Sequence, residues 1–371
     1  MLVLGGGMDM SRTTDRRGGR GGSLRVVVVD DSPFMRGLIS DLLDDAGVTV
    51  VGEASNGEEA LGVVAETRPD VVTMDVEMPG MGGLEAVERI MDETPTPVLM
   101  LSAHTDDGAE VTFEALERGA VDFFAKPGGE VSAGVSREAE RLVAAVRSVA
   151  DADLDAATQE GASGHDERVE AVETSRTGSV DLDDPVTVVI GASTGGPNAV
   201  ERVLAALPTG DCRVLVVQHM PEAFTSRFAD RLDGVSAYEV REATDGDRIG
   251  AGEALVARGG SHLEIGSYRA GRLRVKLVDD DSTSVTPAVD VTMRSAAETV
   301  DDPLVGVILT GMGSDGASGI RAMADAGART IAQSEDSCVI YGMPKRAAET
   351  GAVDAVHDLD DVAGAILGGE A

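Results

Sequence analysis

Short apolar runs alternate with longer amphipathic stretches along the first half of the chain, and this alternation constrains the fold. The strand-like runs cover residues 24–29, 48–52, 71–74, 97–101 and 122–124. The last helical stretch, 136–152, places Leu142, Val143, Val146 and Val149 on one face. Five βα units at this spacing predict a doubly wound parallel sheet with helices on both sides.

A stretch without apolar periodicity separates this half from a second α/β pattern. Residues 153–184 are rich in Glu, Asp, Ser, Thr and Gly, which predicts an acidic flexible linker. Beyond it, strands are predicted at 186–190, 214–218, 254–257, 273–277 and 305–309, and helices at 197–206, 290–298 and 317–326. We therefore expect a disordered extension over 1–23, one domain over 24–152, the linker, and a Rossmann-like α/β domain over 185–370.

The charge of the chain is extreme. It carries 66 acidic and 31 basic residues, a net charge of −35 at pH 7. Such a surface repels nucleic acid, so none is expected as a partner. Self-repulsion destabilises the compact state in dilute buffer, but in molar salt the Debye length falls to about 3 Å. The acid excess runs through both halves and predicts the high-salt cytoplasm of a halophilic archaeon; an acidic partner-binding face is the alternative.

Features that the sequence lacks indicate where in the cell the protein is located. No run of about 18 apolar residues occurs, so no membrane insertion is expected. Arg16-Arg17 has no apolar stretch after it, so we expect no export signal. Cys212 and Cys338 give neither a disulfide framework nor a metal-ligand spacing. The sequence therefore predicts a cytoplasmic protein.

Acidic residues close two predicted strands of the first half. Asp30 and Asp31 follow the first strand, and Asp75 closes the third. Because ligands bind at the carboxyl ends of parallel strands, the three carboxylates are expected to hold Mg²⁺. Asp75 can also accept a phosphoryl group, Lys126 can bring a cation to it, and Ser102 can donate a hydrogen bond to it. The alternative is that each aspartate is only a helix N-cap.

Residues 24–150 resemble the receiver domain of two-component response regulators. The resemblance rests on the ordered strand-end positions Asp30, Asp31, Asp75, Ser102 and Lys126. It implies the receiver-type (βα)5 fold and phosphorylation of Asp75 by a histidine kinase with Mg²⁺. It also implies that Phe123, three residues before the lysine, is the aromatic switch residue, where tyrosine is common in the family.

A glycine-rich turn opens the second half. Gly-Ala-Ser193-Thr194-Gly-Gly follows an apolar run and fits G-x-S-x-G. A serine on such a turn is exposed beside N–H groups that can hold an oxyanion. The same turn could instead cradle a dinucleotide pyrophosphate, and the turn alone leaves both readings open.

Two later strand ends favour hydrolysis. His219 follows the strand over 214–218, and Asp315 follows the strand over 305–309. A serine nucleophile needs a base and an orienting carboxylate, and all three would lie at one sheet edge. A dinucleotide fold places an acidic residue about 20 residues past its glycines, but this strand ends in Gln218-His219. His262 is a further candidate for the substrate side of the cleft, with a structural role as the alternative.

Residues 185–370 resemble the catalytic domain of the chemotaxis protein-glutamate methylesterases, the CheB family. The resemblance rests on the strings GASTGG (191–196), QHMP (218–221), LTGMGSDG (309–316) and SCVIYGMP (337–344). It implies Ser193 as nucleophile, His219 as base and Asp315 as the residue that orients the base. It also implies the Met312 backbone N–H as an oxyanion donor, with Thr194 beside the nucleophile.

The CheB resemblance implies an activity and its control. Glutamate methyl esters on methyl-accepting chemoreceptors would be hydrolysed to release methanol, and receptor glutamines deamidated, without a cofactor in the catalytic domain. The receiver would cover the cleft until the chemotaxis histidine kinase phosphorylates Asp75. Two departures occur: Arg258 stands where proline is expected, and the acidic run 279–284 replaces a more basic stretch.

Three other functions are weighed against this interpretation. A transcriptional regulator needs a basic recognition helix, and the second half is acidic. A dinucleotide-dependent enzyme under receiver control would bind NAD(P). A catalytically idle phosphate sink remains compatible with the sequence, although no member of the Ser193, His219 and Asp315 set is missing.

Overall fold

The computed structural model describes residues 23–102, 106–126, 135–154, 156, 185–208, 210, 212–280 and 283–368. The predicted extension over 1–23 lies outside this part except for Ser23, and the linker lies outside it except for residues 153, 154 and 156. Within the described part, no helix has the length and apolar character that crossing a membrane requires.

The N-terminal unit is a five-stranded parallel sheet in the order β2-β1-β3-β4-β5. Its strands are β1 Arg25–Val29, β2 Thr49–Ala54, β3 Val71–Asp75, β4 Val98–Ser102 and β5 Asp122–Ala125. Its helices are α1 Pro33–Asp45, α2 Gly57–Thr67, α3 Gly83–Glu93, α4 Asp106–Glu117 and α5 Val135–Ala150. The predicted doubly wound sheet is confirmed, and every predicted strand of this half is present.

The side chains of the central strands are buried on both faces of the sheet. Val26, Val27, Val28 and Val29 have no solvent exposure, as continuous β-branched runs require in parallel sheets covered by helices. Ser32 starts α1 as its N-cap, since its hydroxyl accepts from the Met35 N–H.

The C-terminal unit is a seven-stranded parallel sheet in the order β15-β14-β13-β6-β7-β10-β8. Its strands are β6 Val186–Ala192, β7 Cys212–Gln218, β8 Glu239–Glu242, β10 Glu253–Val256, β13 Leu304–Ile308, β14 Arg329–Gln333 and β15 Ala355–His357. The central strands β13, β6 and β7 lie side by side, so the loops after them meet at one edge.

Six helices of this unit follow α5 in the described chain. They are α6 Gly196–Ala206, α7 Glu222–Val235, α8 Val289–Thr299, α9 Ala317–Asp325, α10 Met343–Glu349 and α11 Leu359–Ile366. A separate antiparallel sheet, ordered β11-β12-β9, packs on α8 and consists of β9 Arg248–Ile249, β11 His262–Arg269 and β12 Arg272–Val278. The strand predicted at 273–277 belongs to this smaller sheet.

The two units pack against each other through α4 and β5 on one side and α7 on the other. Phe113 and Phe123 of the N-terminal unit contact Phe228 and Phe224 of α7. Arg231 of α7 adds an ion pair to Glu117 at 3.2 Å. The interface between the two units therefore consists of an aromatic contact with an ion pair beside it.

Candidate active site

Three carboxylates converge at the carboxyl edge of the first sheet, as predicted. Asp30, Asp31 and Asp75 each place one oxygen within 4.8 Å of the other two. Lys126 Nζ lies 2.9 Å from Asp30 Oδ2 and 2.7 Å from Asp75 Oδ1. None of the three aspartates is a helix N-cap. Ser32 is the N-cap of α1, and Gly82 is the N-cap of α3.

Burial and ion pairing shift the pKa values of this acidic site in opposite directions. Burial raises the pKa of Asp75 and outweighs the opposing hydrogen bond and charge of Lys126. Burial lowers the pKa of Lys126, but the hydrogen bonds to Asp75 and Asp30 outweigh it, so the pKa lies above its usual value. Lys126 thus stays charged between two carboxylates.

The donor set suits a hard divalent cation. Carboxylate oxygens are the ligands that Mg²⁺ takes in proteins, usually one or two of them with several waters. Asp31 is exposed whereas Asp30 and Asp75 are buried, so the cluster has one side open to water. Asp30, Asp31 and Asp75 therefore fit a partly hydrated Mg²⁺.

The remaining predicted residues of this half lie close by. Ser102 ends β4 with its side chain fully buried, and its carbonyl accepts from the Lys126 N–H at 2.8 Å. Phe123 is almost fully buried on β5. Its ring lies between Phe113, at a centroid distance of 5.8 Å, and Phe224 of the other unit, at 4.6 Å.

A second set of functional groups meets at the edge of the larger sheet. Ser193 lies on the turn between β6 and α6, with its N–H donating to the Thr310 carbonyl at 3.0 Å. Gly195 has φ 75°, and a Cβ there would meet the Val339 Cβ at 2.7 Å, so the turn requires glycine.

His219 and Asp315 form a hydrogen-bonded pair beside this turn. His219 Nε2 lies 2.8 Å from Asp315 Oδ2, and the His219 N–H donates to the Ala192 carbonyl at 3.0 Å. With Nε2 facing the carboxylate, Nδ1 is the ring nitrogen left for a serine proton. No hydrogen bond joins the Ser193 hydroxyl to the ring among the described residues.

Asp315 is held as an anion by its surroundings. Burial raises its pKa, but the hydrogen bond and charge of His219 and two backbone amides outweigh it, so the pKa lies below the usual value. The amides belong to Val289 and Asp290 at the start of α8, at 2.7 and 3.0 Å. A helix N-terminus stabilises such an anion.

Two backbone N–H groups near Ser193 are free to receive an oxyanion. The N–H groups of Thr194 and Met312 donate to no acceptor in the described part of the chain. Met312 is 44% exposed at the mouth of the site, and Thr194 is buried. Both N–H groups are therefore candidates for holding an oxyanion at this site.

The N-terminal unit reaches the residue next to the nucleophile. Ser148 Oγ of α5 donates to Thr194 Oγ1 at 3.4 Å, and the Asp122 carboxylate accepts from the Thr194 hydroxyl. Burial raises the pKa of Asp122 to about 6, against the hydrogen bonds that its carboxylate accepts from the Phe123 N–H and the Thr194 hydroxyl. The N-terminal unit therefore forms hydrogen bonds with a polar side chain next to Ser193 in the C-terminal unit.

His262 lies at the entry to α8, next to the amides that bind Asp315. It is buried, its Nδ1 accepts from the Ala288 N–H at 3.1 Å, and its Nε2 lies 3.0 Å from the Asp280 carbonyl. Both ring nitrogens are used within the chain, so the ring supports the entry to α8. Sequence reasoning gave no role to the buried Gln218 and Thr310, which hold the nucleophile turn.

The fold and sites define a receiver-type acidic pocket joined to an α/β domain that carries a serine turn and a histidine–aspartate pair. The family model described as CheB methylesterase matches residues 188–366. The model described as response regulator receiver domain matches residues 26–132. The chain belongs to the CheB methylesterase family, in the form with an N-terminal receiver domain.

Two relatives agree with this assignment. The chain is 57% identical to the protein-glutamate methylesterase/protein-glutamine glutaminase of Haloarcula marismortui, covering 93% of this chain and 97% of the relative. It is also 57% identical to the protein of the same name from Natronomonas pharaonis, with the same two coverages. Both organisms are halophilic archaea. The Thermotoga maritima CheB methylesterase catalytic domain is 36% identical, with a TM-score of 0.48 over 50% of this chain and 99% of that one.

Proposed function

We propose that Ser193, His219 and Asp315 hydrolyse the methyl esters of receptor glutamates, under control of phosphorylation at Asp75. The observation that carries this proposal is the 2.8 Å bond between His219 and Asp315 at the sheet edge where Ser193 lies. A buried carboxylate that orients a histidine beside a serine turn is the arrangement that acyl transfer needs.

The first chemical step makes an acyl-enzyme. Ser193 Oγ attacks the ester carbonyl carbon as its proton passes to His219 Nδ1, and Asp315 stabilises the imidazolium formed. The N–H groups of Thr194 and Met312 hold the oxyanion; removing one such donor typically costs about 10²–10³ in rate. As the C–O bond breaks, the methoxy group takes the proton from His219 and leaves as methanol.

Water completes the reaction. His219 Nδ1 takes a proton from water, the hydroxide oxygen attacks the glutamyl-serine carbonyl, and the serine leaves with the proton returned to it. The products are a free glutamate side chain and the starting enzyme. A receptor glutamine would follow the same route with ammonia as the leaving group.

Phosphorylation of the receiver would set the activity. Asp75 accepts the phosphoryl group, with Asp30, Asp31 and Asp75 holding Mg²⁺, which would neutralise charge on the phosphoryl oxygens. Lys126 pairs with those oxygens, and Ser102 donates to one of them. The proposed phosphodonor is the chemotaxis histidine kinase, acting in the cytoplasm.

The packing of the two domains supports inhibition of the unphosphorylated chain. Phe123 lies against Phe224, and Thr194 bonds to Asp122 and Ser148. The boundaries proposed for these domains are 24–152 and 185–370. Phosphorylation has to shift this docking equilibrium by only a few kcal/mol to change the exposed fraction of the site strongly.

The test is methanol release from methylated receptor membranes in molar KCl, with and without a small-molecule phosphodonor. We expect slow basal release that rises with the phosphodonor, and Asp75→Asn should keep the basal rate and lose the increase. Stimulation that persists in Asp75→Asn would contradict the proposed phosphoacceptor. A phosphorylated chain that releases no methanol would instead favour a phosphate sink.

A further inference from the structure

Two buried side chains hold successive carbonyls of the nucleophile turn. Gln218 Nε2, on the last residue of β7, donates to the Ser193 carbonyl at 2.8 Å. Thr310 Oγ1, just after β13, donates to the Thr194 carbonyl at 3.0 Å. Gln218 is 1% exposed and Thr310 is fully buried, so water does not compete for these bonds.

Each bond fixes the plane of one peptide group. In a trans peptide the N–H points opposite to the C=O of the same unit. The Ser193 carbonyl and the Thr194 N–H belong to one unit, so a donor that holds this carbonyl also aims the proposed oxyanion donor. The Thr194 carbonyl belongs to the next unit, and in the described chain its sole donor is Thr310.

Thr310 also ties the turn to neighbouring loops. Its hydroxyl accepts from the Ile340 N–H at 2.9 Å, its N–H donates to Gln333 Oε1 at 2.8 Å, and its carbonyl accepts from the Ser193 N–H. Loss of the hydroxyl alone would release the Thr194 carbonyl and the Ile340 N–H while the main-chain contact remains.

We propose that Gln218 and Thr310 are positioning residues for the nucleophile turn. Gln218 fixes the peptide plane that carries the oxyanion-binding N–H of Thr194, and Thr310 fixes the next plane, which holds the first one in place. This role rests on the proposed function, in which Ser193 is the nucleophile. Neither side chain contacts the reacting atoms. Both act through the main chain of the turn, so they should affect the chemical step rather than substrate binding.

The decisive variant is Thr310→Val, which keeps the side-chain shape and removes the hydroxyl. In the full chain with a phosphodonor and molar KCl, we expect kcat to fall about 10- to 100-fold, as a displacement near 1 Å in a catalytic site can cost 10²-fold. KM should change by less than about twofold, since uniform binding is untouched. Thr310→Ser, which retains the hydroxyl, should restore most of kcat.

Thr330→Val is the matched control. Thr330 is equally buried, and its hydroxyl donates to the Ala352 carbonyl at 2.7 Å and accepts from the Asp354 N–H at 3.0 Å, away from the nucleophile turn. We expect it to lower thermal stability as Thr310→Val does while leaving kcat unchanged. Equal kcat in both variants would overturn the proposal and leave Thr310 with a purely structural role.

Gln218→Met tests the same inference independently. Gln218 Oε1 is buried without a partner in the described chain, so this change removes only the bonds of Nε2, to the Ser193 carbonyl at 2.8 Å and to the His219 carbonyl at 3.2 Å. We expect a kcat loss of about tenfold, as for a weakened oxyanion donor. If Thr310→Val fails to fold, this variant decides, and wild-type kcat in Gln218→Met would overturn the proposal.

A fluorophosphonate probe separates failure of this inference from failure of the proposed activity. Slower labelling of Ser193 in Thr310→Val and Gln218→Met, with wild-type labelling in Thr330→Val, supports the positioning role even if the wild type releases no methanol. Unlabelled Ser193 in the wild type would overturn the nucleophile assignment and the positioning role together.

Discussion

Phe123 packs on Phe224 with ring centroids 4.6 Å apart, so the aromatic switch position of the receiver is itself part of the contact between domains. Phe113 lies edge-on to Phe123, and Phe228 stacks on Phe113. The chain has six phenylalanines, and four of them meet here. Any change of the Phe123 rotamer must therefore disturb the docked state.

Phe224→Leu should raise the activity of the unphosphorylated chain. An aromatic pair contributes about 0.5–1.5 kcal/mol beyond its buried area, which corresponds to a roughly 2- to 12-fold shift in docking. Basal methanol release measures this shift. Phe34→Ala is the control, because Phe34 is 71% exposed on the receiver. A basal rate in Phe224→Leu at or below wild type would argue against autoinhibition through this contact.

Ser193→Ala should abolish methanol release both with and without a phosphodonor. Only the hydroxyl is lost, and the turn keeps its main-chain bonds to Thr310 and Gly196, so the melting temperature should change little. Steady-state methanol assays and calorimetry check the two halves of this expectation. Residual release close to wild type would exclude Ser193 as the nucleophile.

Docking of the receiver should strengthen as pH falls from about 7 to about 4. Burial raises the pKa of Asp122 to about 6 in the docked state, from an ordinary 3.8. The docked state therefore binds the proton more tightly, and the gain is complete below the ordinary pKa. Hydrogen exchange of α7, corrected for intrinsic rates, measures opening independently of the catalytic step.

Asp122→Asn is the matched variant for this pH effect. It removes the titration while keeping a hydrogen-bonding side chain of the same shape, so α7 exchange should become nearly independent of pH and remain slow. A pH profile like that of the wild type would show that another group governs docking.

Asp31→Asn should weaken Mg²⁺ dependence without removing the phosphoacceptor. Asp31 contributes one of the three clustered oxygens, and Asp75 remains. The Mg²⁺ concentration at half-maximal phosphorylation should rise about tenfold or more, since loss of one ion–ligand interaction of about 1.4 kcal/mol is a tenfold change. Asp41→Asn, an exposed position on α1, should leave it unchanged. An unaltered Mg²⁺ midpoint in Asp31→Asn would remove Asp31 from the site.

The melting temperature should rise steeply with KCl. The net charge of −35 makes self-repulsion large at low ionic strength, and the Debye length shrinks from about 10 Å at 0.1 M to about 3 Å at 1 M. Most of the gain should therefore come below about 1 M, the range in which screening changes most. Calorimetry across this range is the measurement; a flat profile would contradict a halophilic surface.

The candidate site residues could be proposed from the sequence because each lies at or just after the end of a recognisable strand. Parallel pairing then brings strand ends together, which is how Asp30 lies near Asp75 and how His219 contacts Asp315 at the sheet edge where Ser193 lies. The orientation of His219 through Nε2 could not be predicted, since it depends on where the start of α8 places Asp315. The antiparallel sheet was missed as a separate layer because β12 carries the same apolar alternation as any half-buried strand.

The contact between the two domains was expected from family resemblance, but its residues were not predictable. Phe113, Phe224 and Phe228 stand on helices whose apolar faces suit any core. Which face meets another domain depends on tertiary geometry that local patterns do not contain. The roles of Gln218 and Thr310 could not be predicted for a similar reason. The hydrogen-bond partners of a buried polar residue depend on the three-dimensional structure.

Thr194 Oγ1 bonds to receiver groups in the docked state, so a substrate that occupies this edge has to displace the receiver. Linkage between binding events is reciprocal. If the receiver weakens substrate binding, bound substrate weakens receiver docking by the same factor. A high concentration of methylated receptor would thus shift the receiver domain towards its undocked form. The activity of the enzyme would then depend on the amount of its substrate as well as on phosphorylation by the kinase.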